Sequence, residues 1–350
     1  MSNEINTVTP DNNVVNEAIE NNADGVATEN AADTADTTPV KKKKPKKKRG
    51  KQPKYDKNGN RKRQLGDRKD GWRIRTINPM NKVMPFIMPM RCDACNTFAE
   101  DVNVTEAEQF VSEQIISGKD NFSMLHVIVA AYIRTVSQHP ALNRFVSGQR
   151  IYARNDIQIV MTIKKKMTLD SPDTCIKVHF EPTDTIFDVY EKFNKVVLEN
   201  TTEQEEESGF EGVMGALASL PRFVFRFAVW TLNKLDYHGL LPKFLLEVSP
   251  FHGSMIITSM GSLGIKPIYH HIYNFGNLPV FVSYGSKRRV TEIDRRGNVT
   301  TKRVIDMKIV TDERICDGFQ YAAGFKCWRK YIEHPELLTT PPEEVKSDIY

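Results

Sequence analysis

Residues 311–338, TDERICDGFQYAAGFKCWRKYIEHPELL, decide the fold assignment of this sequence. They follow a run of alternating, β-branched character, and apolar side chains recur in their second half. The stretch predicts the end of a strand, a short turn, and a helix from Asp317 to His334. Glu313 and Asp317 are acids in that turn, and they raise the question of whether the turn belongs to an active site.

Strand patterns dominate the sequence just before this stretch. Residues 254–261 and 278–285 form short apolar runs, and residues 288–312 form two runs joined at Arg296-Gly297-Asn298. A short Gly-Asn connection between two strand patterns is a hairpin signal. This half of the chain therefore predicts a sheet with a late antiparallel hairpin.

Helical patterns dominate the region before it. Residues 121–138 are strongly apolar and stop before His139-Pro140, because proline disfavours helix in the preceding residue. Residues 183–198 are amphipathic, and Thr105 and Glu108 have the spacing of a capping box. Each of these patterns predicts a helix.

Residues 83–90 contain two prolines and predict an extended lead-in to the body. Helices and strands are otherwise mixed along the chain, and no internal repeat is visible. This order predicts an α+β fold with two layers, in which a mixed sheet is covered by helices.

Charge is distributed unevenly along the 350 residues, which sum to +5. Residues 1–40 contain eight acids and no Lys or Arg, whereas residues 41–63 contain fourteen Lys or Arg and one Asp, so the rest is balanced. We predict a disordered tail over 1–71, acidic and then basic, because it cannot bury enough apolar surface to offset ordering entropy. The folded domain is predicted at 72–338 and a C-terminal tail at 339–350.

The sequence disfavours several broad classes of protein, namely secreted, membrane-spanning and metal-binding ones. The N-terminus lacks the apolar stretch of a signal peptide. The most apolar stretch, Val213 to Leu232, holds Pro221 and two arginines, which argues against a transmembrane segment and favours a helical cap, with an interfacial membrane contact as the alternative. Five cysteines without a secretion signal predict a reducing, cytoplasmic compartment. Cys92 and Cys95 form a lone pair, so no metal site is predicted.

Three separate stretches together resemble a known family: QHPALNRFVSGQRIYARNDIQIVMTIKK (138–165), GSMIITSMGSLGI (253–265) and residues 311–338. They resemble the catalytic domain of the 2-oxo acid dehydrogenase (dihydrolipoamide) acyltransferases, which share a fold with chloramphenicol acetyltransferase. The resemblance extends over residues 79–338. It implies a homotrimer whose subunit interfaces pass an acyl group between coenzyme A and a small-molecule acceptor.

The chemistry of that family explains its motif. A histidine removes a proton from the attacking group because its pKa is near neutral, and a hydroxyl opposite donates to the developing oxyanion. The resemblance places Thr258 at the oxyanion donor, with Ser259 as the alternative, because only one of two adjacent strand residues can face the site. It implies that Asp317 is a buried support that pairs with an arginine, for which Arg75 and Arg91 are candidates.

Glu313 stands where the family has its catalytic histidine. The reference pKa of Glu is about two units below that of His, so Glu is a weak base unless burial raises its pKa. Two interpretations stay open: an active enzyme with a substituted base, or a site that no longer catalyses. His252 is a candidate substrate-binding residue, and His270 or His271 is the less favoured choice for a relocated base, since such histidines are usually structural.

Other features of the sequence concern the oligomeric state and the binding partners of the protein. We see no lipoyl-attachment signature and no subunit-binding domain, which favours a stand-alone trimer. Residues 200–242 are predicted to be an insertion that adds to the core; the alternative is that its aromatic and apolar face covers a substrate channel or makes an oligomer contact. The sequence therefore predicts a coenzyme A-dependent acyltransferase-like protein; the alternative is an inactive trimeric scaffold that displays charged tails. Residues 41–63 predict weak, salt-dependent contact with a polyanion.

Overall fold

The computed structural model describes residues 53–58, 61–164, 173–202, 209–293 and 295–350. The predictions for residues 1–40 and for most of 41–63 lie outside these ranges.

A mixed six-stranded sheet forms the centre of the body. Its strands are β4 (Cys95–Asn103), β7 (Ile157–Lys164), β8 (Asp173–Phe180), β9 (Met255–Ser259), β10 (Val280–Ile293) and β11 (Val299–Asp312), in the spatial order β4-β11-β10-β9-β7-β8. β9 runs parallel to both of its neighbours, and the other pairs are antiparallel. The β10–β11 hairpin begins at the pair Ile293 and Val299, which confirms the hairpin predicted at 296–298.

Helices cover one face of this sheet. The helices are α1 (Pro79–Ile87), α2 (Thr105–Ile116), α3 (Met124–Gln138), α4 (Ile186–Thr202), α5 (Gly209–Ala218), α6 (Arg222–Tyr237), α7 (Lys243–Val248) and α8 (Gly318–Glu333). Residues of α2, α3, α4 and α8 share one hydrophobic core with the sheet. The α+β class and the mixed sheet covered by helices are confirmed.

The most deeply buried of these helices is α3, where nearly every residue from Met124 to Ser137 is buried. Ser123 caps its first turn, and the Ser123 N–H donates to His126 Nδ1 at 3.0 Å. Burial lowers the pKa of His126 to about 4, which keeps that nitrogen free to accept. The indole of Trp328 on α8 donates to the Ile128 carbonyl at 3.0 Å, so α8 is fixed against α3.

A small antiparallel sheet lies beside the main one. It consists of β3 (Gly71–Arg73), β5 (Arg144–Ser147) and β6 (Arg150–Arg154), and the two-residue strands β1 (Lys54–Tyr55) and β2 (Arg61–Lys62) pair separately. Arg68 is only 4% exposed. Near the other terminus, Asp348 pairs with Arg144, and the Lys346 N–H donates to Ser137 O at 2.9 Å. The packed body is therefore longer at both ends than the predicted 72–338.

Two local predictions are wrong. Residues 83–90, predicted as extended, belong largely to α1, because Pro79 occupies the first turn, where no N–H is needed, and Asn78 Oδ1 accepts from Met80 N at 3.0 Å. The predicted capping box of α2 does not form. The Thr105 hydroxyl donates instead to Asn103 Oδ1 at 2.8 Å, and Glu108 binds Arg303 at 2.8 Å.

Most of the predicted insertion, residues 200–242, consists of the two helices α5 and α6. Among the described residues, no helix combines the length and the apolar character that a bilayer crossing requires.

Candidate functional site

A buried cluster of charges closes the end of the sheet where β11 finishes. The Asp312 carboxylate is 0% exposed, and Arg314 reaches both of its oxygens, with Nε at 2.8 Å and Nη2 at 2.7 Å. Arg91 Nε lies 3.4 Å from the same carboxylate. The Tyr321 hydroxyl donates to the Asp312 carbonyl at 2.7 Å, so α8 also holds this turn.

Arg91 ties this cluster to two other segments. Its Nη2 donates to Val146 O and its Nη1 to Tyr273 O, both at 2.9 Å. Burial lowers the pKa of Arg91, and the charge of Asp312 opposes that shift. Asp312 is thus the carboxylate that two buried guanidinium groups share, and its removal would leave both without that partner.

Glu313 is held by its backbone and not by its side chain. Its N–H donates to Ala94 O at 2.9 Å, which fixes the residue directly after the Asp312 cluster. The residue is half-buried, and its carboxylate makes no hydrogen bond or ion pair with the residues that the structure describes. The position is rigid, whereas the carboxylate is available to another molecule.

Asp317 does not have the surroundings implied by the resemblance. It is exposed, and it caps α8 by accepting from Gln320 N at 2.8 Å. Of its two predicted arginine partners, Arg75 pairs with Asp67 at 2.9 Å and Arg91 pairs with Asp312. The predicted buried pair is therefore wrong for Asp317: the buried acid lies at the end of the strand, and Asp317 supports the site only as a helix cap.

The alternation of β9 separates the two candidate hydroxyls. Ser259 is paired in register with Tyr284, whose side chain lies in the helix-covered core. Burial raises the pKa of Tyr284, and its interaction with Ser259 opposes part of that rise. Thr258 therefore points to the opposite face, where its hydroxyl has no hydrogen-bond partner among the described residues.

Thr258 and Glu313 are not brought together within one chain. Thr258 pairs with Ser283, which in turn pairs with Lys308 on β11. Glu313 lies five positions beyond Lys308, which is about 17 Å along a strand. Within a single chain, Glu313 therefore lies level with the start of β9, whereas Thr258 lies near the end of β9.

His252 lies in a second buried network, before the start of β9. It is 2% exposed, with Nδ1 2.8 Å from Ser249 Oγ and Nε2 3.4 Å from Asp236 Oδ1. Burial lowers the pKa of His252, and the hydrogen bond and charge of Asp236 oppose this. Because Thr258 is near the other end of the same strand, the structure does not place His252 beside it.

Arg68 completes this network. It lies 2.7 Å from Asp236 and 2.9 Å from Asp70. Burial by itself would raise the pKa of Asp236, but its contacts with His252 and Arg68 outweigh burial and hold that pKa at about 2. The network joins the segment before β3 to α6 and to the start of β9.

A charged cavity of about 550 Å³ opens next to this network. Its walls carry the following charged or titratable side chains: Arg63, Lys69, Asp70, Arg154, Asp156, His179, Lys243, Glu247 and His252. Arg154 is buried with Nε and Nη1 unpartnered, and its guanidinium carbon lies 4.4 Å from the centroid of the Phe145 ring. Burial lowers the pKa of Arg154.

His179 bridges two carboxylates at the rim of this cavity. Its Nδ1 lies 3.1 Å from Asp156 and its Nε2 2.9 Å from Glu247. The hydrogen bond to Asp156 raises the pKa of His179. On the same strand, burial lowers the pKa of Lys177 to about 7, while its amine donates to Leu246 O.

The sequence could not have identified this network. Asp236 lies 168 positions from Arg68, and Asn277 lies 207 positions from Asp70, to which it donates at 2.7 Å. No spacing rule joins such distant residues, and Asp236 follows an apolar helical pattern that gives no reason to expect a buried acid.

Potential metal ligands converge at one place in the described ranges. Glu106, His334 and Glu336 have ligand atoms within 4.8 Å of one another, and the group lies mostly at the surface. Cys92 and Cys95 do not belong to it. These side chains also pair directly with each other, since His334 lies 2.9 Å from Glu106, so the cluster is explained without an ion.

No protein-family model and no curated protein matches this sequence. Solved structures do match. A probable dihydrolipoamide acetyltransferase from Listeria monocytogenes aligns with 80% of this chain and 99% of its own, at 14% identity and a TM-score of 0.48. A chloramphenicol acetyltransferase aligns with 75% of this chain and 99% of its own, at 12% identity and a TM-score of 0.46.

A third match is a truncated catalytic core of the 2-oxoacid dehydrogenase multienzyme complex from Thermoplasma acidophilum. It covers 75% of this chain and 99% of its own, at 13% identity and a TM-score of 0.44. These similarities are in the path of the backbone. They do not extend to the identity of the side chains at a site. In fold, the chain is similar to the catalytic cores of dihydrolipoamide acetyltransferases and to chloramphenicol acetyltransferase.

Proposed function

We propose that this protein is a coenzyme A-dependent, acyltransferase-like protein that acts as a homotrimer and binds its acyl donor between neighbouring subunits. Thr258 of one subunit would face Glu313 of the next. The acceptor would be a small molecule with a hydroxyl or thiol group. The five free cysteines of the chain support a reducing, cytoplasmic location.

The observation that carries this proposal is the placement of Thr258 and Glu313. Each lies at an open position with a side chain that lacks a partner in the described part of its own chain, and about 17 Å of strand separates them. By the resemblance in sequence, Thr258 keeps the family's hydroxyl, and Glu313 stands at the position of the family's histidine. A second copy is the simplest source of the missing half of the site.

Glu313 and Thr258 would be sufficient for acyl transfer, with each bond and the transferred proton accounted for. Glu313 would take the proton from the acceptor while that group attacks the thioester carbonyl. The Thr258 hydroxyl would donate to the oxyanion that forms. Collapse of this intermediate would break the carbon–sulfur bond, and the departing coenzyme A thiolate would take up the proton that Glu313 removed from the acceptor. Since Glu is a weaker base than His, we expect slow transfer.

One observation favours a second candidate, a non-catalytic trimeric binding protein. A general base is ordinarily oriented by a third group, and the Glu313 carboxylate has no such partner among the described residues. The fold and the ligand site would then serve binding alone. In this case, contact of residues 41–63 with a polyanion would contribute to the function, with three tails acting together.

A calorimetric titration with coenzyme A tests the proposal. We expect saturable binding by the wild type and by Glu313→His, and acetyl transfer that is faster in the histidine variant. Binding without transfer in the wild type, together with transfer by Glu313→His, would favour the non-catalytic candidate. Absence of coenzyme A binding in a folded trimer would overturn both the donor assignment and the enzyme proposal.

A further inference from the structure

The outward face of α6 is aromatic. Phe223 is 76% exposed, Phe227 is 65% exposed and Trp230 is 55% exposed. Their spacing places them on one side of the helix. The Phe227 and Trp230 rings stack at 5.8 Å, so they form a single continuous surface. An ordinary surface helix shows the reverse pattern, with its polar residues outward.

Cations border this aromatic face, and no acid lies within it. Arg222, Arg226 and Lys234 are exposed, and Lys234 Nζ lies 5.9 Å from the centroid of the Trp230 ring. From residue 212 to residue 235 the sequence contains these three cations and no Asp or Glu. The helix therefore presents aromatic rings and positive charge together.

A second apolar surface adjoins the first. α1 and the residues just after it expose the side chains of Met80, Val83, Phe86, Ile87 and Met90. A cavity of about 230 Å³ has Pro85 and Met90 on one wall and Asn233 and Tyr237 of α6 on another. Residues 78–92 likewise contain no acid, and Lys82 is an exposed cation on α1. Two neighbouring helices thus share the same apolar and basic character.

We infer that this surface docks on an anionic phospholipid bilayer, with α6 lying in the plane of the headgroups. Aromatic rings would enter the boundary between headgroups and acyl chains, and the arginines would meet the phosphates. α6 has 16 residues, about 24 Å, which is shorter than the roughly 30 Å hydrocarbon core, so it lies on the membrane and does not span it.

Charge favours a bilayer over a two-fold α6–α6 contact between copies of the chain as the occupant. If α6 packed on its own counterpart about a two-fold axis, the three cations of each helix would meet with no acid between them. An anionic headgroup layer satisfies all of them. The sequence supplies further positive charge for such a surface, since residues 41–63 sum to +13.

Vesicle co-sedimentation of the full-length chain tests this inference. The vesicles would be phosphatidylcholine with or without about 30% phosphatidylserine. We expect the wild type to pellet with the anionic vesicles only. Phe223→Ser/Phe227→Ser/Trp230→Ser should bind about 10-fold or more weakly, because it loses the inserted apolar area. Ile116→Ser/Ile293→Ser, which alters residues 86% and 71% exposed elsewhere, should bind like the wild type.

Two further variants keep the test decisive if the triple variant fails to fold. Arg222→Gln/Arg226→Gln/Lys234→Gln should also weaken binding, and Trp230 fluorescence should shift to the blue on anionic vesicles. Changing residues 41–44 to Gln should weaken binding to anionic vesicles. The binding that remains should still depend on Phe223, Phe227 and Trp230. The inference is overturned if the aromatic variant binds vesicles like the wild type, or if only the change at residues 41–44 weakens binding. It is also overturned if the wild type does not bind vesicles and the aromatic variant dissociates the oligomer.

Discussion

The two ends of β9 have different surroundings. At one end, Asp312, Arg314 and Arg91 are buried in a cluster in which each charge has a partner, and the network of Asp236 and His252 lies at the same end. At the other end, Thr258 is the last residue but one of this short strand, and its hydroxyl has no partner in the described part of the chain.

The difference separates buried polar groups that pair within the chain from a hydroxyl that has no partner in its described part. A buried charge that lies beside an opposite charge fixes the chain, and breaking such a pair is costly because the other charge stays buried. An unpaired hydroxyl at an open strand end contributes little to stability and is available to a ligand. The first end is therefore expected to control folding and the second to control chemistry.

The largest expected effect comes from the buried end. Asp312→Ala should lower the free energy of unfolding by about 3–5 kcal/mol, because it leaves two guanidinium groups buried without their carboxylate. Urea denaturation followed by circular dichroism measures this change. A loss below about 1 kcal/mol would mean that the cluster is solvated and does not hold the turn.

Substitution of Thr258 should change the rate of acyl transfer and not the free energy of unfolding. Thr258→Ala should lower acyl transfer about 100-fold if the hydroxyl donates to an oxyanion. Its free energy of unfolding should stay within about 0.5 kcal/mol of the wild type, as for other substitutions away from buried contacts. Steady-state kinetics and denaturation of the same preparation give both values, and Thr258→Ser is the matched control that keeps the hydroxyl. Equal rates for all three proteins would remove Thr258 from the chemistry.

Acid should weaken the buried end. The pKa of Asp236 is held at about 2 in the folded chain, below its ordinary value near 3.9 in an unfolded one. The unfolded chain therefore takes up a proton first, and stability present above about pH 4 is lost as the pH falls toward 2. We expect a loss on the order of 2 kcal/mol from this group. Thermal melts against Asp236→Asn, which cannot titrate there, should show a flatter profile in the variant.

The smallest expected effect concerns Asp317, an acid only five positions from Asp312. Asp317→Ala should cost about 1 kcal/mol, because only a helix cap is lost. Asp317→Ser, which can still cap, should recover most of that stability. A cost as large as that of Asp312→Ala would show that Asp317 has the buried, paired role that the family resemblance implied.

The sequence predicted those parts of the fold that depend on local patterns. The hairpin at 296–298, the helix that stops before His139-Pro140 and the helix after Asp317 each follow from signals within a few residues. The predictions that were wrong are those in which another contact outweighed the local sequence pattern. Two prolines suggested an extended segment at 83–90, but Asn78 and Pro79 start a helix there.

The candidate site was predictable only in its positions. The resemblance assigned Thr258 and Glu313 to the site, and both roles stay predictions; the register with Tyr284 shows only that Ser259 faces the core and Thr258 the opposite face. The acid that pairs with Arg91 was assigned to Asp317 instead of Asp312, because a motif gives spacing but not burial. Asp236 and Arg68 were missed because their contact spans 168 positions.

The most direct test of the central claim is complementation between two variants. Thr258→Ala and Glu313→Ala subunits would be unfolded together, refolded as mixed oligomers, and assayed for acyl transfer from acetyl-coenzyme A. A site between subunits predicts that each variant alone is impaired and that the mixture regains activity, because some interfaces then carry both intact residues. A mixture no more active than the two separate variants, in oligomers shown to be mixed, would contradict a shared site.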